Sequence, residues 1–233
     1  MKDFKKGLRL GVPIGLGYLS VSFAFGILAV SKGLLWWQAV IISMTTVTSA
    51  GQLAAVDIMT APFRYAEMLL SQFTINIRYS FMSVSLSQKA SAEFTGIKRW
   101  LLGFFMTDEI FAVASTQKEV SSKLFSGLAV MPYLGWTTGT LLGSILGNVL
   151  PQIVMNALNV AIYGMFIAIV VPDAKKSIKL LTVVALSIGI SFAFYYIPAL
   201  KAVSSGITVC ICAITAALFG ALIFPIKEDN GDE

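Results

Sequence analysis

The sequence predicts an all-α integral membrane protein, a polytopic bundle of seven or eight membrane-embedded helices forming one unit, some of them broken or re-entrant. Three observations predict it. Apolar runs of membrane-crossing length recur along the chain. Only 12% of the 233 residues are charged against 57% hydrophobic, and the mean hydropathy is +0.82. The basic residues collect between the runs, at Lys2, Lys5, Lys6, Arg9, Lys89, Lys98, Arg99, Lys175, Lys176 and Lys179. A soluble domain carries about 25% charged residues, and a crossing helix needs roughly 20 mostly apolar residues in a row. Half the usual charge leaves too little polar surface for water, so the solvent is lipid.

The runs lie at about 10–31, 34–56, 65–87, 100–116, 124–149, 153–171, 178–197 and 202–224. The first has the basic start of a signal peptide but is too long and too rich in glycine, which predicts an uncleaved first helix. Residues 1–226 read as a single transmembrane domain, and 227–233 as a short, acidic, solvated tail. Two runs fit a full crossing poorly: 65–87 holds Glu67 and Arg78, and 100–116 is short and holds Asp108 and Glu109. Eight crossings from an inside N-terminus also put the Lys89–Arg99 loop outside, against the bias of basic loops toward the cytoplasm. Broken or re-entrant segments near the middle remove that conflict.

The first run has Gly7, Gly11, Gly15, Ser22 and Gly26 with Pro13 near its start; the fifth has Gly135, Gly139, Gly143 and Gly147 after Pro132. Four-residue spacing puts small residues on one helix face, where two helices can approach closely in lipid. The likeness of two runs about 120 residues apart is what an internal duplication leaves, although ordinary packing faces give the same pattern. Trp36 and Trp37, close to Lys32, read as interfacial anchors. Cys210 and Cys212 sit within the last run as small apolar fillers on different sides of one helix, with no disulfide or metal framework.

Polar groups at membrane depth are costly, at least about 2.5–3.5 kcal/mol for a charge on insertion scales, and they tend to face a cavity or a partner. Three clusters qualify. Thr45-Thr46-Val47-Thr48-Ser49-Ala50-Gly51-Gln52 offers hydroxyls, a glycine at which the backbone can open, and the Gln52 amide. In the third run Gln72, Asn76, Tyr79, Ser80 and Ser83 share a helical face, while Arg78 points away from it unless the helix breaks. The guanidinium of Arg78 can grip a carboxylate bidentately, pair with Asp108 or Glu109 for structure, or snorkel. The third cluster is Phe104-Phe105-Met106-Thr107-Asp108-Glu109-Ile110-Phe111. Two adjacent carboxylates there can carry a proton or hold an ammonium, or they can mark a helix end in water.

Several classes are excluded. No soluble basic face exists for nucleic acid. The chain has no histidine, hence no His-based triad or HExxH zinc site, and no Gly-x-x-x-x-Gly-Lys-Ser/Thr loop for ATP. Adjacent acids point about 100° apart on a helix, unlike a facing aspartyl dyad. The expectation is a non-enzyme without cofactor.

Gly51-Gln52, Asn76-Ile77-Arg78 and Thr107-Asp108-Glu109-Ile110-Phe111-Ala112, in that order and spacing, resemble the branched-chain amino acid permeases of the AzlC type. Gly135-Trp136 before Gly139 and Gly143, and Phe166 before Pro172, are similar to that family too, so the resemblance runs from about Gly7 to Pro172. It implies export of valine, leucine, isoleucine or analogues across the cytoplasmic membrane by a multi-pass permease, with a small AzlD-type membrane protein as partner. The residues alone give a membrane cavity with an arginine and carboxyls, which suits a zwitterion. Arg78, or N–H groups at a helix break, meets the carboxylate; Asp108 or Glu109 meets the ammonium or carries a coupling proton. Gln52, Asn76 and Tyr79 orient the substrate, Thr107 belongs to the same binding set, Phe104, Met106 and Phe111 form an apolar wall, and Gly15, Gly17, Gly135 and Gly139 let helices rock. A scaffold or channel-like subunit, with the polar clusters as interhelical glue, is the alternative; so is transport of another small zwitterion.

Overall fold

The computed structural model describes residues 2–147, 153, 167, 170–172 and 174–225. Most of the 153–171 run, the 227–233 tail and Asn148, Asn156, Asn159, Tyr163 and Phe166 lie outside the described residues. Those described form helices α1 (Lys2–Ser31), α2 (Trp36–Thr45), α3 (Ser49–Met59), α4 (Tyr65–Ser87), α5 (Gly96–Gly103), α6 (Asp108–Ser115), α7 (Ser122–Leu146), α8 (Ile178–Tyr196) and α9 (Ser205–Ile223), with a 3-10 turn at Pro198–Leu200. No strand occurs among the described residues; a single bridge pairs Ala90 with Val120.

The spine is α1 against α7, the dominant packing in the fold. The two glycine faces meet each other. A Cβ on Gly11 would sit 2.6 Å from the Leu128 carbonyl oxygen, and one on Gly15 2.6 Å from that of Met131. At Gly139 and Gly143 it would overlap the Leu19 and Phe23 carbonyl oxygens. Backbone thus touches backbone, and dispersion between bare helices replaces the hydrophobic drive that lipid cannot supply. Gly17 has nothing within 4 Å of such a Cβ and lies outside this contact. The helices run parallel, as early residues of one meet early residues of the other. A Cβ on Gly7 would strike the Leu124 oxygen, and one on Gly127 the Phe4 oxygen. That is one contact with the partners exchanged.

The 34–56 run, expected as one helix, breaks. Thr45-Thr46-Val47-Thr48 is four β-branched residues in a row, poor helix formers. The hydroxyls of Thr45 and Thr46 donate back to the Ile41 and Ile42 carbonyls at 2.8 and 2.6 Å, and Thr46 is extended (φ −138). The chain then reverses. Ala39 of α2 and Val56 of α3 share one cluster with Phe25 and Ala29 near the end of α1, and Asp57 pairs with Lys32 at 2.9 Å. Thus α2 and α3, about 15 Å each at 1.5 Å per residue, form a hairpin that enters and leaves at one end of the bundle.

The 100–116 run breaks as well, at 104–107, where Thr107 caps α6 by accepting the Ile110 N–H at 3.4 Å, and Asp108 and Glu109 occupy the first turn. Carboxylates and a threonine cap suit a helix N-terminus. Both ends of this second hairpin sit at the other end of the bundle. The Val120 N–H donates to Lys89 O at 2.8 Å, Ser91 N–H to Val120 O at 3.0 Å, and Lys6 Nζ to Gln117 at 2.7 Å. By contrast α4, suspected of a break because of Arg78, is an unbroken 23-residue helix.

Among the described residues, three helices are long and apolar enough to cross a membrane: α1, α8 and Gly206–Ile223 of α9. Helices α4 and α7 are as long, with 23 and 25 residues, but carry charge or small polar residues. The two hairpins are not crossings, and this removes the conflict over basic loops. Because α2–α3 folds back, α4 returns Lys89, Lys98 and Arg99 to the end that holds Lys2, Lys5 and Lys6. Helix α9 starts at the opposite end, where the Gly206 N–H donates to Glu67 at 3.2 Å. Antiparallel α8, whose Val183 lies 3.1 Å from a Cβ on Gly220, therefore brings Lys175, Lys176 and Lys179 to the basic end. The opposite end holds Lys32, Arg64 and Lys201.

Candidate functional site

The tips of the two hairpins, 46–48 and 104–107, come in from opposite ends and meet halfway along α1, α4 and α7. Their backbone breaks and the charged side chains occupy the same depth. A small cavity of about 10 Å³ lies there, lined by Tyr18, Val47, Ser49, Tyr79, Thr107, Asp108, Glu109 and Trp136. That is room for about one water and too little for an amino acid, so the site is closed.

The two carboxylates face different partners, as successive helical positions dictate. Asp108 turns to α4, its Oδ2 taking Arg78 Nη1 at 2.7 Å. Glu109 turns to α1 and accepts the Tyr18 hydroxyl, which also lies 2.8 Å from Thr107 Oγ1. Although α4 is unbroken, Arg78 does not point away: its long side chain folds over the Tyr79 ring, 4.9 Å from the centroid, and Nη2 donates to the Tyr79 hydroxyl at 3.1 Å. Stacking of guanidinium on a ring face is favourable. Arg78 Nε and Asp108 Oδ1 are buried without a hydrogen-bond partner, so the pair keeps an unused donor and an unused acceptor.

Around this pair run two polar chains. On α4, Asn76 Oδ1 accepts from Thr48 Oγ1 at 2.8 Å, Asn76 Nδ2 donates to Gln72 at 3.1 Å, and Gln72 donates to the Gly51 carbonyl at 2.9 Å. Tyr79 donates to Thr48 at 3.3 Å. On the other side Trp136 Nε1 donates to Gln52 Oε1 at 2.7 Å, Gln52 Nε2 to Ser43 at 2.9 Å, and Ser43 shares a 2.7 Å bond with Thr140. This second chain is buried throughout, Gln52 being 1% and Trp136 2% exposed. It ties the α2–α3 hairpin to the α1–α7 spine.

Of the residues singled out from sequence, Tyr79, Thr107, Asp108 and Glu109 line the cavity, and Arg78 reaches it through Asp108. Asn76 stands two hydrogen bonds behind, through Thr48 to Tyr79. Gln52 is not on the lining and has its amide committed to Ser43 and Trp136. The apolar surface comes from Val47, Tyr18 and Trp136. Met106 instead packs with Ile110, Leu124 and Phe125 in a separate cluster, Phe111 against it, and Phe104 is 43% exposed. Sequence reasoning missed Tyr18 and Ser43 and left Trp136 without a role. The only sequence signal for Tyr18 was a polar aromatic in the middle of the first apolar run.

Fold and site together define an all-helical membrane protein whose two half-helix hairpins enclose a charged interior cluster. The chain belongs to the AzlC family: the model for that family, described as AzlC protein, matches residues 13–150, which hold every residue of the site. A membrane protein of Archaeoglobus fulgidus is 32% identical over 178 residues, 74% of this chain and 76% of that one. The inner membrane protein YgaZ of Escherichia coli is 26% identical over 154 residues, 64% of this chain and 63% of that one. The branched-chain amino acid transport protein AzlC of Bacillus subtilis is 25% identical over 218 residues, 88% and 84% of the two. No solved structure matches the chain.

Proposed function

We propose that the chain is the large subunit of a secondary transporter that exports branched-chain amino acids across the cytoplasmic membrane, and that it is not an enzyme. One observation carries this reading: an arginine, two carboxylates and two backbone breaks meet at mid-depth between hairpins from opposite ends. Irregular backbone is tolerated at that depth where it is enclosed by protein or lines a pathway, and broken helices are how transporters present backbone charge to a polar solute. The described basic residues favour one end, which we assign to the cytoplasm, with the N-terminus inside and a multi-pass topology. Opening of the cavity frees Arg78 for the substrate carboxylate, while Tyr79, Thr107 and Asn76 orient it and Val47 and Trp136 receive the branched side chain. Gln52 holds the hairpin in place. A small AzlD-type membrane protein completes the unit.

The test is valine efflux from vesicles holding the chain with that partner. Wild-type efflux is expected, lost in Arg78→Ala and in Asp108→Asn at matched abundance; normal transport by both variants overturns the site. A second reading, a non-transporting scaffold, is favoured by the mutual commitment of Gln52, Ser43, Thr140 and Trp136, which is what interhelical glue looks like. Thermal stability in detergent separates the two. A binding protein is stabilised as RT ln(1 + [L]/Kd) by its amino acid, and a scaffold shows no shift across an amino-acid panel.

A further inference from the structure

The geometry points to Glu109, and not Asp108, as an exchange site at which the substrate ammonium and a coupling proton replace one another. The inference rests on the transport reading above and goes beyond it by dividing the labour of the two acids. Arg78 is the only Lys or Arg side chain among the described residues that reaches this depth, and Asp108 already answers it at 2.7 Å. Glu109 forms no ion pair among the described residues; its hydrogen bond comes from the uncharged Tyr18 hydroxyl. The groups facing it are Tyr18 from α1, Tyr79 and the paired Arg78 from α4, and Asp108 on its own helix. What α3 and α7 add to the cavity, Ser49 and Trp136, is uncharged. The cluster is therefore one positive charge short.

A carboxylate held in a protein interior without a counter-charge is costly, so a cycle that encloses the cluster further needs a cation from outside. In this closed state the cavity holds about one water, too little for a hydrated metal ion, and no group of three or more His, Cys, Asp or Glu side chains that could hold a metal occurs among the described residues. A proton needs no room. When the cavity opens to an amino acid, its ammonium takes the same carboxylate and the proton leaves to water on that side. Because one carboxylate accepts only one of the two, the occupants alternate, and amino acid moving one way is exchanged for a proton moving the other.

The full chain in lipid is followed by infrared difference spectroscopy during a pH titration. The chain has 12 Asp and Glu, so wild type minus variant isolates one component of the carboxylic-acid C=O absorption that grows on acidification; that component is expected to be missing in Glu109→Gln, present in Glu109→Asp and Asp108→Asn, and smaller when valine is added. No component missing in Glu109→Gln, one missing instead in Asp108→Asn, or one indifferent to valine overturns the assignment. Flux through vesicles with the partner subunit, at clamped potential, gives the second readout. One proton per zwitterion lets each pH unit sustain an about tenfold concentration ratio, and in Glu109→Gln the ratio stays near one whatever the flux. A sodium gradient that replaces the pH gradient also overturns it. Absence of wild-type flux beside an intact valine-sensitive band sinks the transporter reading and leaves the site.

Discussion

Gln52→Leu removes the amide at the centre of the buried chain that joins the α2–α3 hairpin to α7 while keeping the volume nearly constant. Ser43 retains its 2.7 Å partner Thr140, so one group is orphaned, the Trp136 indole N–H, at 2% exposure. An unsatisfied buried donor costs about 1–3 kcal/mol, and that is the expected loss. Trp136→Phe orphans the Gln52 oxygen instead, at a similar cost plus the smaller ring's lost contacts. Gln52→Leu with Trp136→Phe removes donor and acceptor together, so its loss is expected to fall below the sum of the single losses by about 1–2 kcal/mol, the coupling of groups in direct contact. The assay is reversible unfolding in mixed micelles titrated with SDS, followed by far-ultraviolet circular dichroism. Strict additivity of the two substitutions, or a Gln52→Leu protein as stable as wild type, would refute the claim that this chain anchors the hairpin.

Three further outcomes follow from the packing and topology. Gly143→Ala drives a methyl group into the Phe23 carbonyl and is expected to cost about 1–3 kcal/mol, the range for overpacking, whereas Gly17→Ala, with nothing within 4 Å, is expected to be near neutral in the same unfolding assay. Arg78→Ala alone strands the Asp108 charge, so Arg78→Ala with Asp108→Asn is expected to recover part of the lost stability and membrane abundance, measured by detergent-extracted yield and melting temperature. In a chain with Cys210 and Cys212 replaced, single cysteines at Ser91 and Lys118 are expected to react with an impermeant thiol reagent from one side of the membrane, and cysteines at Ala61 and Lys201 from the other; labelling of Ser91 and Lys118 from opposite sides rules out the second hairpin.

The fold was legible in the sequence where local chemistry dominates. The glycine spacing of the first and fifth runs marks the faces that meet, because only bare backbone fits there. The break at 104–107 was readable too: Thr107-Asp108-Glu109 has the cap and acidic first turn of a helix start, inside a run too short to cross. The break at 45–48 was written in four β-branched residues but was masked by their apolar and hydroxylic neighbours. The basic loop in the wrong place was the trace of a missing crossing, and it could not say which run folds back. The partners of the polar side chains were not legible. Gln52 and Trp136 are 84 residues apart and no periodicity joins them. The direction of Arg78 escaped as well, because helical spacing fixes where the Cβ points and not where a flexible chain of methylenes delivers its guanidinium.

The spine has a consequence for biosynthesis. Helix α1 leaves the ribosome with a bare strip of backbone whose counterpart, α7, is made more than a hundred residues later. The two hairpins wedge their reversals against that pair, so until α7 is inserted their exposed peptide groups have no wall to rest on. The growing chain must then wait near the translocation machinery, or under a chaperone, and assemble in one late step. A fragment ending after α6 would be a poor substrate for stable insertion and a good one for quality-control proteases.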